Sequence, residues 1–128
     1  MNYAIAGGHT ETLHAASEVL LAGGNAFDAA IAAFVASFMA EPAMSSAGGG
    51  GFALCKPFGK RPMAIDFFSA TPKHKPEIKS IKIAPVEVHF GDEVETYYAD
   101  MGSIAIPGAI RGIYLLHRTY GSMPLKEL

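Results

Sequence analysis

From Thr10 to Leu21 the chain places Leu13, Ala16, Val19 and Leu20 at spacings of three and four, the signature of a helix with one apolar stripe. "AGGN" ends it, since Gly23 or Gly24 can take the left-handed conformation that closes a helix. Asn25 is placed to cap the next helix, and Asp28 three residues on completes a shortened capping box. That second helix, "AFDAAIAAFVASFMA" over 26–40, is apolar almost all round, the pattern of a helix buried between layers. Pro42 marks its end.

The pattern then changes. "GFALCKPF" and "RPMAIDFFS" read as two strands joined at Gly59-Lys60. Thr71 to Pro85, rich in Lys and Pro, reads as a connection. "VEVHF" and "GSIAIP" are further strand candidates, separated by an acidic stretch from Gly91 to Asp100. Pro107 and Gly108 open an amphipathic helix with Ile110, Ile113, Tyr114, Leu116 and His117 on or near one face, and Gly121 closes it. "SMPLKEL" looks like the start of another helix, with Ser122 as cap and Pro124 in its first turn. No repeat or low-complexity tract interrupts residues 1–128, so no internal boundary is expected.

Half of the 128 residues are hydrophobic and 17% are charged, which is apolar for a small domain. Such a surface implies a partner or a larger whole. The net charge of −2 gives a nucleic-acid role no electrostatic support. Seven of the ten Lys and Arg fall between Lys56 and Lys82, spaced as on a solvated face. The longest apolar run, 26–40, is shorter than the roughly 20 residues of a membrane span and contains Asp28. With no signal-peptide pattern at the start, a soluble cytoplasmic protein is expected. The single cysteine, Cys55, rules out an internal disulfide and reads as a buried, inert thiol. The five histidines show no metal-ligand spacing, so neither metal nor cofactor is implied.

The four glycines of "SSAGGGGFAL" call for a reason. A phosphate loop needs a strand before it and a helix after it; here a helix precedes and a strand follows, without Gly-Lys-Ser/Thr. Close backbone approach is the better account. Gly48 to Gly51 are expected to lead tightly into a strand beneath the 26–40 helix, with Ala29, Ala30, Ala33 or Ala36 against that sheet.

"GGNAFDAAIAA", "EP", "SSAGGGGFAL", "AIDF", "IPGAIRGI" and "YGSMPLKEL", in this order and spacing, resemble the opening of a gamma-glutamyltranspeptidase large subunit. The resemblance runs from about Gly8 to Leu128 and is weakest between Lys73 and Asp100. It implies an α+β fold: a portion of an N-terminal nucleophile hydrolase αββα sandwich, incomplete, with a helical layer on an antiparallel sheet. It also implies a nucleophilic N-terminal threonine on a small subunit outside this chain. Thr10, Thr12, Thr71, Thr96 and Thr119 do not sit in that context, so no catalytic residue is assigned here. The implied partners are the remainder of the large subunit and a small subunit, with a small-molecule amide as substrate. Self-association through apolar surface is the other reading of the composition.

In the family an arginine follows the "DF" of the second strand and grips the carboxylate of the gamma-glutamyl group. Here Phe68 stands at that position, and Ser69 where an acidic residue usually follows. These two are the candidate substrate-binding positions. A phenyl ring cannot neutralise a carboxylate. Either Arg61, Lys73 or Lys75 supplies the charge, or the acyl group is not a free glutamyl. Asp66 reads as a site acid or as a buried carboxylate held by local hydrogen bonds. Two functions stay open: part of an enzyme that cleaves or transfers gamma-glutamyl or related acyl groups, or a non-catalytic remnant serving as a small-ligand or protein-interaction module.

Overall fold

The computed structural model describes residues 2–74 and 76–128. The chain divides into two compact units: one formed by residues 1–69 and 107–128, the other by residues 70–106. In the first, helices α1 (Thr10–Leu21) and α2 (Ala26–Ala40) are followed by strands β1 (Phe52–Cys55) and β2 (Met63–Asp66). The second unit holds β3 (Ala84–Phe90) and β4 (Glu93–Ala99), after which α3 (Ala109–Tyr120) completes the first.

The first unit is built around α2. On one side Ala29 and Ala32 bury against Ala16, Val19 and Leu20 of α1. On the other, Ile31 joins Cys55 of β1 and Ile113 and Leu116 of α3, with Phe27, Phe34, Ala53 and Ile65 packed around them. The small residues of α2 therefore meet the neighbouring helix, and its large residues meet the sheet. Of the alanines expected against the sheet, Ala29 and Ala33 pack in the α1 seam instead. Ala30 lines a hollow it shares with β1. The helix is also not covered all round, since Val35 and Met39 stay exposed.

β1 and β2 form an antiparallel hairpin, with Ala53 opposite Ile65 and Cys55 opposite Met63. Alternation sends Ala53, Cys55 and Ile65 toward the helices and leaves Phe52 and Leu54 on the open face. A helical layer on antiparallel strands is the expected α+β arrangement. Cys55 is buried as expected, and burial raises its thiol pKa above the ordinary value.

The buried face of α3 consists of Ala109, Gly112, Ile113 and Leu116. Ile110 and Tyr114, expected on that face, are exposed. Bulk was the wrong guide: Gly112 sits where a Cβ would collide with the Phe67 ring, so this helix packs through its smallest residue.

In the second unit the acidic stretch is itself a strand. β3 and β4 pair from Ala84–Ala99 to Phe90–Glu93 around a two-residue turn. Gly91 occupies its first position with φ +68°, the backbone for which glycine is used there. "GSIAIP" contributes a single bridge, Ile106 to Ala70, and begins as a 3-10 turn over Met101–Ser103. The alternating Val94, Thr96 and Tyr98 carried the strand signal that the charge obscured.

One buried carboxylate ties the first unit together. Asp28 is fully buried. It accepts the Asn25 backbone N–H at 2.9 Å, while Asn25 Oδ1 accepts from Phe27 and Asp28 N–H, so the capping box forms as expected. Asp28 also accepts the Ser122 N–H at 3.0 Å and the Ser122 hydroxyl. Asn25 Nδ2 donates to Tyr120 O at 2.7 Å. Ser122 thus completes the cap of α2 rather than starting a helix of its own; after it only a 3-10 turn forms, Leu125–Glu127. Burial acts to raise the Asp28 pKa, but the hydrogen bonds from Ser122, Asn25 and Met123 together outweigh it and hold the carboxyl below its ordinary value of 3.8.

A group with a depressed folded pKa stabilises fully above its unfolded value and loses that contribution as pH falls through the folded one. Asp28→Asn turns an amide NH2 toward donors and is expected to cost about 2–4 kcal/mol near neutral pH. In urea unfolding, the gap between wild type and Asp28→Asn should close below about pH 4. A gap constant from pH 7 to 3 would show that the ionised carboxylate is not what matters.

Candidate functional site

The second strand places the two candidate residues. Phe67 faces inward: its ring lies 5.9 Å from that of Phe34, and its backbone pairs with Gly51 in both directions, at 3.0 and 3.3 Å. Phe68, one residue on, therefore faces the open side of the hairpin. There it stacks on Phe52, with ring centroids 5.4 Å apart and planes inclined by 15°. It is 60% exposed. Asp66 Oδ1 accepts the Phe68 N–H at 2.9 Å and fixes its backbone. Asp66 itself is exposed, so the expected local hydrogen bond is present and the expected burial is not.

Within the glycine run it is Gly50 that answers to backbone crowding, while a Cβ on Gly48 would meet nothing closer than Ser46 Oγ at 3.8 Å. A Cβ on Gly50 would lie 2.5 Å from Ser69 N and 2.8 Å from Phe67 O, and a Cβ on Gly51 would touch the Phe67 ring at 3.0 Å. The Gly49 carbonyl accepts the N–H groups of Gly108 and Ala109, both at 3.0 Å, at the start of α3. A Cβ on Gly108 would strike the Phe67 carbonyl. Gly50 and Gly108 thus let the chain pass between the end of β2 and the first turn of α3; the glycine run leads into β1 as expected, with the close approach confined to its later positions.

Phe68 and Ser69 line a hollow of ≈ 310 Å³ together with Phe34, the Pro42–Ser46 turn, Gly49 and Gly50. The turn is held by Ser45 N–H to Glu41 O at 2.9 Å, and by the Ser37 hydroxyl, which bridges Phe34 O at 2.6 Å and Ser45 Oγ at 2.8 Å. No charged side chain lines the hollow among the described residues. Of the cations that might have replaced the arginine, Arg61 lies in the turn at the other end of the hairpin, on the order of 20 Å away at the rise of an extended strand. Lys73 belongs to the second unit, and Lys75 lies outside the described residues. The Pro42–Ser46 turn was not singled out in the sequence; its two serines ahead of the glycines were the available signal.

The histidines play local parts. His9 Nδ1 accepts the Glu11 N–H at 3.2 Å and caps α1. His14 approaches Glu18 at 3.8 Å on the exposed face of α1. Among the described residues there is no metal-binding cluster of His, Cys, Asp or Glu, and no helix is long and apolar enough to cross a membrane.

Comparison with known proteins gives consistent matches. Residues 13–128 match the family model described as gamma-glutamyltranspeptidase. Glutathione hydrolase 2 of Arabidopsis thaliana is 30% identical over 112 residues, covering 88% of this chain and 18% of its own length. The Acylase ACY 1 proenzyme of Pseudomonas sp. (strain SE83) is 32% identical over 116 residues, covering 89% of this chain and 21% of its own length. The chain thus spans about a fifth of these relatives. Among solved structures, the transpeptidase CapD of Bacillus anthracis superposes with a TM-score of 0.75 at 26% identity, over 99% of this chain and 36% of that one. A gamma-glutamyltranspeptidase from Pseudomonas nitroreducens, complexed with L-DON, gives 0.75 at 25% identity, over 98% and 36%.

The crowding at Phe67 is directly testable. Gly108→Ala should lower stability by about 2–4 kcal/mol, because the colliding atom is a backbone carbonyl that cannot swing aside. Ala109→Gly, at the next position, should cost about 1 kcal/mol from lost helix propensity and packing. Equal costs for the two in chemical denaturation would remove close approach as the reason for glycine at 108.

Proposed function

The chain belongs to the gamma-glutamyltranspeptidase family, and from that membership we propose that it is the N-terminal portion of a large subunit in an enzyme that cleaves or transfers gamma-glutamyl or related acyl groups. The observation that carries this reading is the match over residues 13–128, with the position of the family's arginine, Phe68, lining a hollow. The nucleophile is an N-terminal threonine outside this chain. Its hydroxyl attacks the amide carbonyl, its own amine takes the proton, and the amine product leaves as the acyl ester forms. Water or a second amine then takes the acyl group from the threonine.

The part left to these 128 residues is binding and orientation. Phe68, Ser69 and the glycine loop form one wall of the acyl site, and the Asp66 hydrogen bond sets the angle of that wall. The open face of the hairpin, with Phe52 and Leu54 67% and 82% exposed, is the surface on which the rest of the large subunit and the small subunit pack. Names among the relatives include both glutathione hydrolase and acylase, which supports a family whose acyl group varies.

Two outcomes are expected. The purified 128-residue chain should not turn over a gamma-glutamyl anilide, because it holds no threonine in the nucleophile's context; sustained turnover, free of contaminants, would place the chemistry inside this chain. In the full-length gene product, Phe68→Arg should raise kcat/KM for a gamma-glutamyl donor relative to an uncharged acyl donor. One charge-assisted contact is worth about 1.5–3 kcal/mol, or roughly ten- to a hundred-fold. An unchanged ratio, with folding verified, would remove Phe68 from the acyl site.

A further inference from the structure

The hollow beside Phe68 has a chemistry of its own. Its lining joins two aromatic residues, Phe34 and Phe68, to the neutral polar groups of Ser45, Ser46 and Ser69 and to two glycines, and Phe68 stacks on Phe52. We propose that this hollow takes a neutral arylacyl amide, a flat ring on a short acyl arm, in place of a gamma-glutamyl group. The inference rests on the reading of Phe68 as part of the acyl site.

Three observations support it. The first is charge. A gamma-glutamyl group brings an ammonium and a carboxylate, and among the described residues no charged side chain lines the hollow to receive either. Taking ions from water without partners is costly, whereas a neutral amide loses far less. The second is shape. Phe52 and Phe68 are nearly parallel, so the exposed side of Phe68 offers a ring face on which another ring can stack. Its backbone N–H is held by Asp66. The third is size. At ≈ 310 Å³ the hollow has room for a single ring with a short arm. The serine hydroxyls of the Pro42–Ser46 turn lie in the same wall and are available to the amide, Ser45 being held in place through Ser37.

The test is a titration of the isotopically labelled chain, followed by the backbone amide signals, with phenylacetamide and with L-glutamine as probes. Phenylacetamide should shift the signals of Ser45, Ser46, Gly49, Gly50, Phe68 and Ser69, with an affinity at least tenfold above that of glutamine. Phe68→Leu keeps the wall apolar but removes the ring face, and should weaken phenylacetamide several-fold while leaving the rest of the spectrum intact. Glutamine binding as well as phenylacetamide, or shifts centred elsewhere, or no shift at millimolar probe, each overturns the proposal. The enzyme reading fails separately. If the full-length product turns over neither donor class while the chain still binds phenylacetamide at these residues, the binding site stands and the catalytic role falls. Turnover of gamma-glutamyl donors in preference to arylacyl donors sinks the ligand class and keeps the enzyme.

Discussion

The backbone of Phe67 is the place on which the first unit turns. Gly51 pairs with it, Gly50 lies against the peptide that follows it, and Gly108 and Gly112 of α3 approach its carbonyl and its ring. At Gly50, Gly108 and Gly112 the approach is closer than a side chain at the glycine position permits. Glycine carries an entropic cost in the unfolded chain, and clustering it here concentrates that cost at one junction. What the junction yields is a helix seated on the end of a hairpin, with its first N–H groups satisfied by the Gly49 carbonyl. Because Phe67 is fixed inward, Phe68 is fixed outward. The candidate site is a by-product of that packing.

A second constraint works at the opposite end of α2. Asp28 and Asn25 form a local cap and then reach residues 120 and 122, so one short motif both starts a helix and anchors the end of another. A fully buried carboxylate is tolerable because donors surround it. Removing either partner leaves a buried polar group unmatched, which makes the motif an all-or-none feature. The "GGNAFDAA" segment is therefore structural in its chemistry, although it is one of the blocks that mark the family.

Among the described residues the Cys55 thiol is buried, Asp66 is exposed and accepts the Phe68 N–H, and His117 is half-buried against Met123 O. The candidate hollow is built from the Pro42–Ser46 turn, the glycine loop, Phe34 and Phe68. Phe68, where the resemblance places the family's arginine, lines this hollow beside Ser69. Among the described residues no charged side chain lines the hollow.

The sequence by itself determined the elements whose signals are local. The bounds of α1 and α2, the Asn25–Asp28 cap and the two strands flanking Gly59 follow from periodicity, capping and turn chemistry, which act within a few residues. The order of its blocks also carried the family. Tertiary structure alone decided what depends on partners distant in the chain. It sent Ala29 and Ala33 to α1 instead of the sheet, put Gly112 and not Tyr114 on the buried face of α3, and recruited Ser122 to the cap of a helix 94 residues earlier. It also made a strand of Glu93–Ala99, where pairing with β3 outweighed the charge that had obscured its β-branched and aromatic residues. In each case the deciding term is a fit between surfaces, and a residue's own propensity does not contain the shape of what it will meet.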